Sequence, residues 1–213
     1  MGRTAFLIDG FNLYHSLLEA GRLGMGRAAL WLDIRALCSD YLAHAGQAAG
    51  TRAALTSIDY FSAVPTHRSR DKAQRHTLYM DCLRGTGVRV HLGRFKGKDV
   101  TCPLCKQTSR RHEEKETDVA IAVRLFELCH EDQADIIALV TGDTDLAPAV
   151  RICRRLFPEK TIFFIFPFRR SNNELAQLAP ESIKMKLRSV QRHQFPDPLT
   201  LPNGRQIRKP PHW

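Results

Sequence analysis

Acidic residues follow two apolar segments of the 213-residue chain, each beside a glycine. Asp9 comes directly after TAFLI and precedes Gly10, and Asp143 and Asp145 follow IIALV in the segment TGDTD. Glycine lets the backbone turn sharply and approach a ligand. The pattern predicts carboxylates at the carboxyl ends of two parallel strands, where open α/β sheets bind ligands. The alternative is structural: Asp143 or Asp145 caps a helix that begins near residue 146, and Asp9 starts a turn.

A third acid, Asp118, lies on the apolar stripe of a helix predicted over 115–130. The stripe runs through Ala122, Leu125, Phe126 and Cys129. A favourable interaction with the helix N-terminus explains its place along the helix but not its inward face. We expect Asp118 to meet Asp9 and Asp143. Two carboxylates about 4 Å apart repel by roughly 4 kcal/mol at an effective dielectric of 20. A divalent cation such as Mg²⁺ or Mn²⁺ relieves that repulsion, which predicts metal-assisted attack of water on a phosphodiester.

The chain is basic, with 32 Lys and Arg against 22 Asp and Glu and a formal charge of +10. Its 43% apolar and 25% charged residues suffice for a large core and argue against disorder and small disulfide scaffolds. The charge favours a polyanionic partner. Together with the acidic cluster it indicates a nuclease that acts on nucleic acid.

Five apolar runs alternate with helical patterns, which predicts an α/β fold with a central, mostly parallel sheet of about five strands flanked by helices. The predicted strands are 4–8, 57–64, 88–92, 136–140 and 161–166. The predicted helices are 28–45, 68–84, 115–130 and 146–156. The cysteines Cys38, Cys129 and Cys153 lie in apolar helical patterns and are expected to be reduced core thiols.

The chain divides at residue 183 by composition. Residues 184–213 carry seven Lys or Arg against one acid, Asp197, with five prolines, and are expected to form an extended basic arm. No segment is long and apolar enough to span a membrane, and the first residues do not form a signal-peptide core. We therefore expect a cytoplasmic protein that does not contact a membrane.

Three blocks carry a family resemblance: FLIDGFNLYHS at 6–16, EEKETDVAIAVRLFE at 113–127 and VTGDTDLAPAV at 140–150. In this order they resemble the NYN domain family, in its LabA-like branch of the PIN-like nucleases. The resemblance implies a PIN-like three-layer sandwich over residues 1–183 and a metal-dependent ribonuclease activity. Because PIN-like relatives often pair, a homodimer is a further expectation.

The resemblance also implies roles for single residues. Asp9, Asp118, Asp143 and Asp145 look like the family's catalytic and metal-binding acids, with Asp145 expected to act through water or to position the attacking water. Substrate contacts are expected from Asn12, Lys115 and Ser171, although Lys115 could equally be an exposed helix-start lysine and Ser171 an N-cap.

Residues 94–112 are predicted to be a basic loop, in which Cys102 and Cys105 have the spacing of a zinc knuckle. His112, His91 or Cys82 would have to complete a zinc site, and free thiols or a redox pair are the alternatives. Basic residues of this loop, Arg110 and Arg111 among them, are expected to follow phosphates while Phe95 stacks on a base. The alternative is ordinary solvated charge with Phe95 in the core.

A second basic cluster, Arg68, Arg70, Lys72 and Arg75, opposes the dipole of the helix that it starts, so phosphate contact is expected there as well.

Two other function classes stay open: an RNA-binding module without catalysis, and a structure-selective DNA nuclease. Other phosphate-handling enzymes are disfavoured, since the chain has neither a GxGxxG nor a GxxxxGK[ST] loop.

Overall fold

The computed structural model describes every residue of the chain except Cys102 and His212, together with all side chains but those of Met25, Arg27, Ala28 and Arg111. Its strands are β1 (Gly2–Asp9), β2 (Ala53–Ser62), β3 (Arg89–Leu92), β4 (Arg94–Thr101), β5 (Thr108–Lys115), β6 (Ile136–Val140), β7 (Thr161–Phe166), β8 (Ile183–Lys184), β9 (Leu199–Thr200) and β10 (Gln206–Ile207). Its α-helices are α1 (Gly10–Ala20), α2 (Ile34–Asp40), α3 (Leu42–Ala48), α4 (Arg70–Gly85), α5 (Thr117–His130), α6 (Ala147–Leu156), α7 (Asn173–Leu178) and α8 (Leu187–Arg192).

A six-stranded sheet in the order β3-β2-β1-β6-β7-β8 forms the centre of the fold, and every neighbouring pair in it is parallel. The central strands are apolar because helices cover them; all five residues of β6 are buried. This confirms the α/β fold with a helix-flanked parallel sheet. The sheet has one strand more than expected, since the two-residue β8 is too short to leave a periodic signal.

The strand order reverses between β1 and β6. From β1 the chain builds outward through β2 and β3, then returns to the other side of β1 and continues through β6, β7 and β8. A crevice opens at such a point because the connections after the two strands leave in opposite directions. Asp9 ends β1 and Asp143 follows β6, so the two acids border this crevice.

The helix predicted over 28–45 is wrong as one element. A short 3-10 turn (Gly26–Leu30) is followed by α2 and α3, because the Asp33 side chain accepts a hydrogen bond from the Ala36 N–H and starts a new helix. The helix predicted from residue 115 begins at Thr117 instead. Glu116 has a φ of 81°, in the left-handed region, and separates α5 from the strand before it.

The loop predicted over 94–112 is a β-hairpin. β4 and β5 pair antiparallel from Arg94↔Lys115 to Thr101↔Thr108. Opposed residues share a face, so one face carries Phe95, Glu114, His112 and Arg110. Hydrogen bonds between the two strands hold these polar segments extended, although the hairpin has no buried face of its own.

Residues 184–213 pack against the domain, so the expectation of an extended arm is wrong. Val190, Phe195, Leu199 and Ile207 are buried in the core, and β9 and β10 form a small hairpin. Scattered apolar side chains anchor the segment, which its proline and charge content concealed. The domain boundary at residue 183 stays a prediction.

The core also contains Cys38, Cys129 and Cys153 as buried free thiols, which confirms that prediction. No described helix is long and apolar enough to cross a membrane.

Candidate metal centre

Asp9 is the buried acid of the site, with only 4% of its surface exposed. It caps α1: its Oδ1 accepts a hydrogen bond from the Asn12 N–H at 2.9 Å, and its Oδ2 accepts one from the Thr141 hydroxyl at 2.9 Å. Burial raises its pKa to about 6, with smaller contributions from the charges of Asp118 and Asp143, against the two hydrogen bonds, which lower it. The structural interpretation of Asp9 is therefore found as a helix cap, and its functional role stays a prediction.

Thr141 connects the two strand ends. While its hydroxyl donates to Asp9, its Oγ1 accepts the Asp143 N–H at 3.1 Å. The Asp143 Oδ1 in turn accepts the Asp145 N–H at 3.0 Å, which caps a 3-10 turn (Thr144–Leu146) before α6. One buried hydroxyl thus fixes the positions of acids from neighbouring strands.

The loop after β6 fits only because it contains Gly142. Its N–H donates to the Asn12 Oδ1 at 3.1 Å, and a Cβ at this position would overlap the Arg170 carbonyl oxygen. Gly10 is similarly constrained, since a Cβ there would lie 2.5 Å from the Phe61 carbonyl oxygen. The glycines beside the acids are therefore required by close backbone approach.

Asp118, in the first turn of α5, completes the cluster. One carboxylate oxygen each of Asp9, Asp118 and Asp143 lies within 4.8 Å of the others, and no second group of three or more His, Cys, Asp or Glu with such spacing occurs in the described part of the chain. Burial raises the pKa of Asp118, and the negative charges of Asp143 and Asp145 raise it further. The expected inward orientation of Asp118 is therefore found.

Asp145 lies at the edge of this cluster rather than within it. Its side chain is exposed, and the three carboxylates that share the 4.8 Å separation do not include it. Its charge nevertheless affects the pKa of Asp118, so it is near enough to act on the site through solvent. A role through water is the part of the Asp145 prediction that this geometry accommodates.

Glu114 is a site residue that the sequence analysis missed. It lines a cavity of about 180 Å³ together with the three aspartates, Phe11, Asn12, His15 and Arg170. Burial raises its pKa to about 7, with a further contribution from the charge of Asp118, and its carboxylate accepts a hydrogen bond from the Thr117 hydroxyl. It reaches the site from β5, and the alternation of that strand would have identified it had the hairpin been predicted.

The remaining predicted contacts divide into two groups. Asn12 lies in the site and holds Gly142. Lys115 ends β5, on the opposite hairpin face from Glu114, and pairs with Glu113 at 3.0 Å. Ser171 is exposed and lies outside the residues that line the cavity. Asn172, not Ser171, caps α7.

The two cationic candidates whose side chains the structure describes, Arg68 and Arg110, do not line the acidic cavity. Arg68 is exposed just before α4, and Arg110 is exposed on β5, above Gly97. The side chain of Arg111 lies outside the described part of the structure. Phe95, the residue predicted to stack on a base, packs edge-on against Phe11 and His67, at centroid distances of 5.6 and 4.5 Å.

Two of the three residues proposed to complete the zinc site are engaged elsewhere. Cys105 is exposed near the hairpin tip, whereas His91 bonds Asp59 at 2.7 Å and Cys82 is buried in the core. His112 stacks on His67. Because Cys102 lies outside the described residues, zinc binding stays a prediction with only His112 as a further candidate.

Comparison with known proteins identifies a matching family. The model of the NYN domain matches residues 3–186. This match leaves the LabA-like branch a prediction. The 6-hydroxy-3-succinoylpyridine 3-monooxygenase HspA of Pseudomonas putida is 26% identical over 183 residues, which cover 71% of this chain and 55% of that protein. The chain therefore spans about half the length of this curated relative.

A solved structure shares the fold. The crystal structure of a protein of unknown function from Vibrio parahaemolyticus RIMD 2210633 superposes with a TM-score of 0.53 at 20% identity, covering 87% of this chain and 93% of that one. The similarity supports the architecture.

Proposed function

This chain belongs to the NYN domain family, and from that premise we propose that it is a metal-dependent ribonuclease that hydrolyses RNA phosphodiester bonds. The observation that carries the proposal is the convergence of Asp9, Asp118 and Asp143 at the strand-order reversal of the sheet. Converging acids with raised pKa values are typical of functional sites. The basic composition supports nucleic acid as the substrate class.

The donor set fits Mg²⁺ or Mn²⁺. Asp9, Asp118 and Asp143 offer only oxygen atoms, which hard divalent cations prefer. At separations within 4.8 Å their mutual repulsion disfavours three ionised groups. Burial is the main cause of the raised pKa values of Asp9 and Asp118, and this repulsion adds to it. These three residues would hold the ion, which when bound supplies a Lewis acid that polarises the phosphodiester and promotes deprotonation of the attacking water.

The protein's own groups supply orientation and proton transfer. Thr141 and Asn12 fix the Asp9 carboxylate, so its position does not depend on a ligand. Glu114, with a pKa of about 7, is suited to accept a proton from water near neutral pH. Arg170 lines the same cavity and pairs with Glu19 at 2.8 Å, and its guanidinium is the group that we expect to bind a substrate phosphate.

The activity in the name of the Pseudomonas putida relative is not part of this proposal. That protein shares only 55% of its length with the present chain, at 26% identity. We assign RNA as the partner on charge and family grounds, and an RNA-binding module without catalysis or a DNA nuclease are the alternatives that experiment must separate.

The decisive experiment compares wild type with Asp143→Asn. Single-stranded RNA and DNA of the same sequence are incubated with each protein, with and without Mn²⁺, and Asp99→Asn serves as the control because Asp99 is an exposed aspartate of the hairpin. We expect Mn²⁺-dependent RNA cleavage by wild type and control and none by Asp143→Asn. Equal cleavage by Asp143→Asn would refute the assignment, and preferential DNA cleavage would replace the substrate class.

A further inference from the structure

A second cavity lies beside the metal centre, on another face of α1. It has a volume of about 480 Å³, within the roughly 300–1,000 Å³ of typical small-molecule sites. Asn12 and His15 of α1 line the acidic cavity, whereas Tyr14, Leu17 and Leu18 line this one. Asn12 and Tyr14 are two residues apart, about 3 Å along the helix axis but roughly 200° around it, so the two cavities lie on different sides of α1. The rings of Tyr14 and His15, 5.7 Å apart between centroids, bring one lining residue of each cavity into contact.

Aromatic rings form one part of the wall. His76 of α4 lies 5.4 Å from Tyr14 and 6.2 Å from Trp213 between ring centroids. Trp213 is held in turn by Tyr79 and Trp31, at 5.5 and 6.2 Å. Burial lowers the pKa of His76, and the charge of Arg75 lowers it further, so its ring is neutral near pH 7. Flat, uncharged rings of this kind stack on nucleobases.

Cations form the rest of the polar wall. Arg22, Lys72 and Arg75 line the cavity, and no Asp or Glu is among its described lining residues. Arg75 pairs with Asp71, but neither Arg22 nor Lys72 forms an ion pair within the described part of the chain. Two cations without a carboxylate partner leave room for an anionic ligand group. An aromatic wall beside free cations suits a ligand that combines a flat ring with a phosphate.

We propose that this cavity binds one nucleotide of the nucleic-acid strand, next to the nucleotide whose phosphodiester lies at Asp9, Asp118 and Asp143. The base lies against Tyr14, His76 and Trp213, and its phosphate lies against Arg22 and Lys72. The identity of the strand rests on the proposed nuclease function, while the nucleotide chemistry rests on the cavity itself. This assigns a purpose to Lys72 of the second basic cluster, which the metal centre does not use.

The experiment measures binding without cleavage. Wild-type protein in EDTA is titrated with a short single-stranded oligoribonucleotide and, separately, with adenosine monophosphate, while tryptophan fluorescence is recorded. The chain has two tryptophans, and Trp31 is buried, so a ligand in the cavity should quench Trp213. A Trp213→Phe variant should lose the quenching, and RNA binding by anisotropy should persist in it.

Variants then locate the contacts. His76→Ala and Lys72→Ala should each weaken oligoribonucleotide binding about tenfold, as expected for loss of one stacking or phosphate contact. Arg52→Ala is the matched control, because Arg52 is an exposed cation just before β2, at the opposite end of the sheet. Its affinity should equal that of wild type. Melting curves of each variant exclude misfolding as the cause.

Each outcome of these measurements supports or overturns the proposal. RNA that binds without quenching Trp213, or that binds the His76 and Lys72 variants as tightly as wild type, overturns the proposal. Adenosine monophosphate that binds as tightly as the oligomer also overturns it, in favour of a free-nucleotide site. Quenching by RNA in a protein that never cleaves RNA would support the cavity assignment while the nuclease proposal fails, so the two are separable.

Discussion

The sheet and the β4–β5 hairpin supply acids to the same cavity by different physical means. Asp9 and Asp143 are positioned by β1 and β6, strands that are buried because their residues are apolar. The hydroxyl of Thr141 links the two acids through hydrogen bonds. Glu114 arrives on a hairpin of polar residues that is held by cross-strand pairing and by the contacts of Phe95 at its base. The sheet therefore defines the site rigidly, whereas the hairpin adds to it from a less constrained element.

The largest effect should come from the acid cluster. In Asp118→Asn, cleavage of RNA should fall by about a thousandfold or more, because loss of a charged ligand removes metal binding and the charge stabilisation that depends on it. The metal-free variant should melt no lower than wild type, since repulsion with Asp143 is removed. Cleavage rates and melting curves check this, with the exposed Glu159→Gln as control. A variant that unfolds would show that Asp118 is structural.

A smaller loss is expected on the hairpin side. Glu114→Gln should reduce the cleavage rate about a hundredfold, the usual contribution of a proton acceptor. Wild-type activity should rise with pH through about 7, as Glu114 loses its proton, and the variant should lack that rise. The control is Glu113→Gln, one residue away on the opposite hairpin face, where Glu113 pairs with Lys115. Equal pH profiles in wild type and Glu114→Gln would remove Glu114 from the chemistry.

The pH dependence of stability should distinguish Asp9, the buried acid, from carboxyl groups with ordinary pKa values. The pKa of Asp9 is raised from 3.8 to about 6, so its folded form favours the proton, and stability present below pH 3.8 is lost as pH rises through 6. This amounts to at most about 3 kcal/mol in the metal-free protein. In Asp9→Asn the loss should disappear, and added Mn²⁺ should offset it in wild type. Denaturant unfolding at several pH values measures it, and a parallel decline in the variant would contradict it.

The smallest change in the free energy of unfolding should come from weakening the contacts that hold the hairpin. Phe95→Ala should cost about 1–2 kcal/mol, because the ring is only partly buried against Phe11 and His67. Amide hydrogen exchange should speed up in β4 and β5 and stay slow in β1 and β6. Leu104→Ala, at the exposed tip, is the control. Faster exchange throughout the sheet would mean that the two regions unfold together.

The difference between the sheet and the hairpin also explains which features could be predicted from the sequence. The buried strands and the inward face of Asp118 were predictable because apolar periodicity is a direct consequence of burial. The hairpin was not, since Phe95 and Val100 are the only large apolar residues of its two strands and leave no apolar alternation, and with it Glu114 was missed. The packing of residues 184–213 was missed for a related reason: Phe195, Leu199 and Ile207 are too widely spaced to form a pattern. The cavity beside α1 combines residues from three distant segments, which only the folded chain brings together.

The sheet ends on both sides in very short strands, four residues in β3 and two in β8. An edge this brief offers few unpaired backbone groups, so it is a poor template for a strand from another molecule. Aggregation through the edges of the central sheet is thereby discouraged. If two copies of this chain associate, the central sheet offers them little edge through which to form a shared sheet.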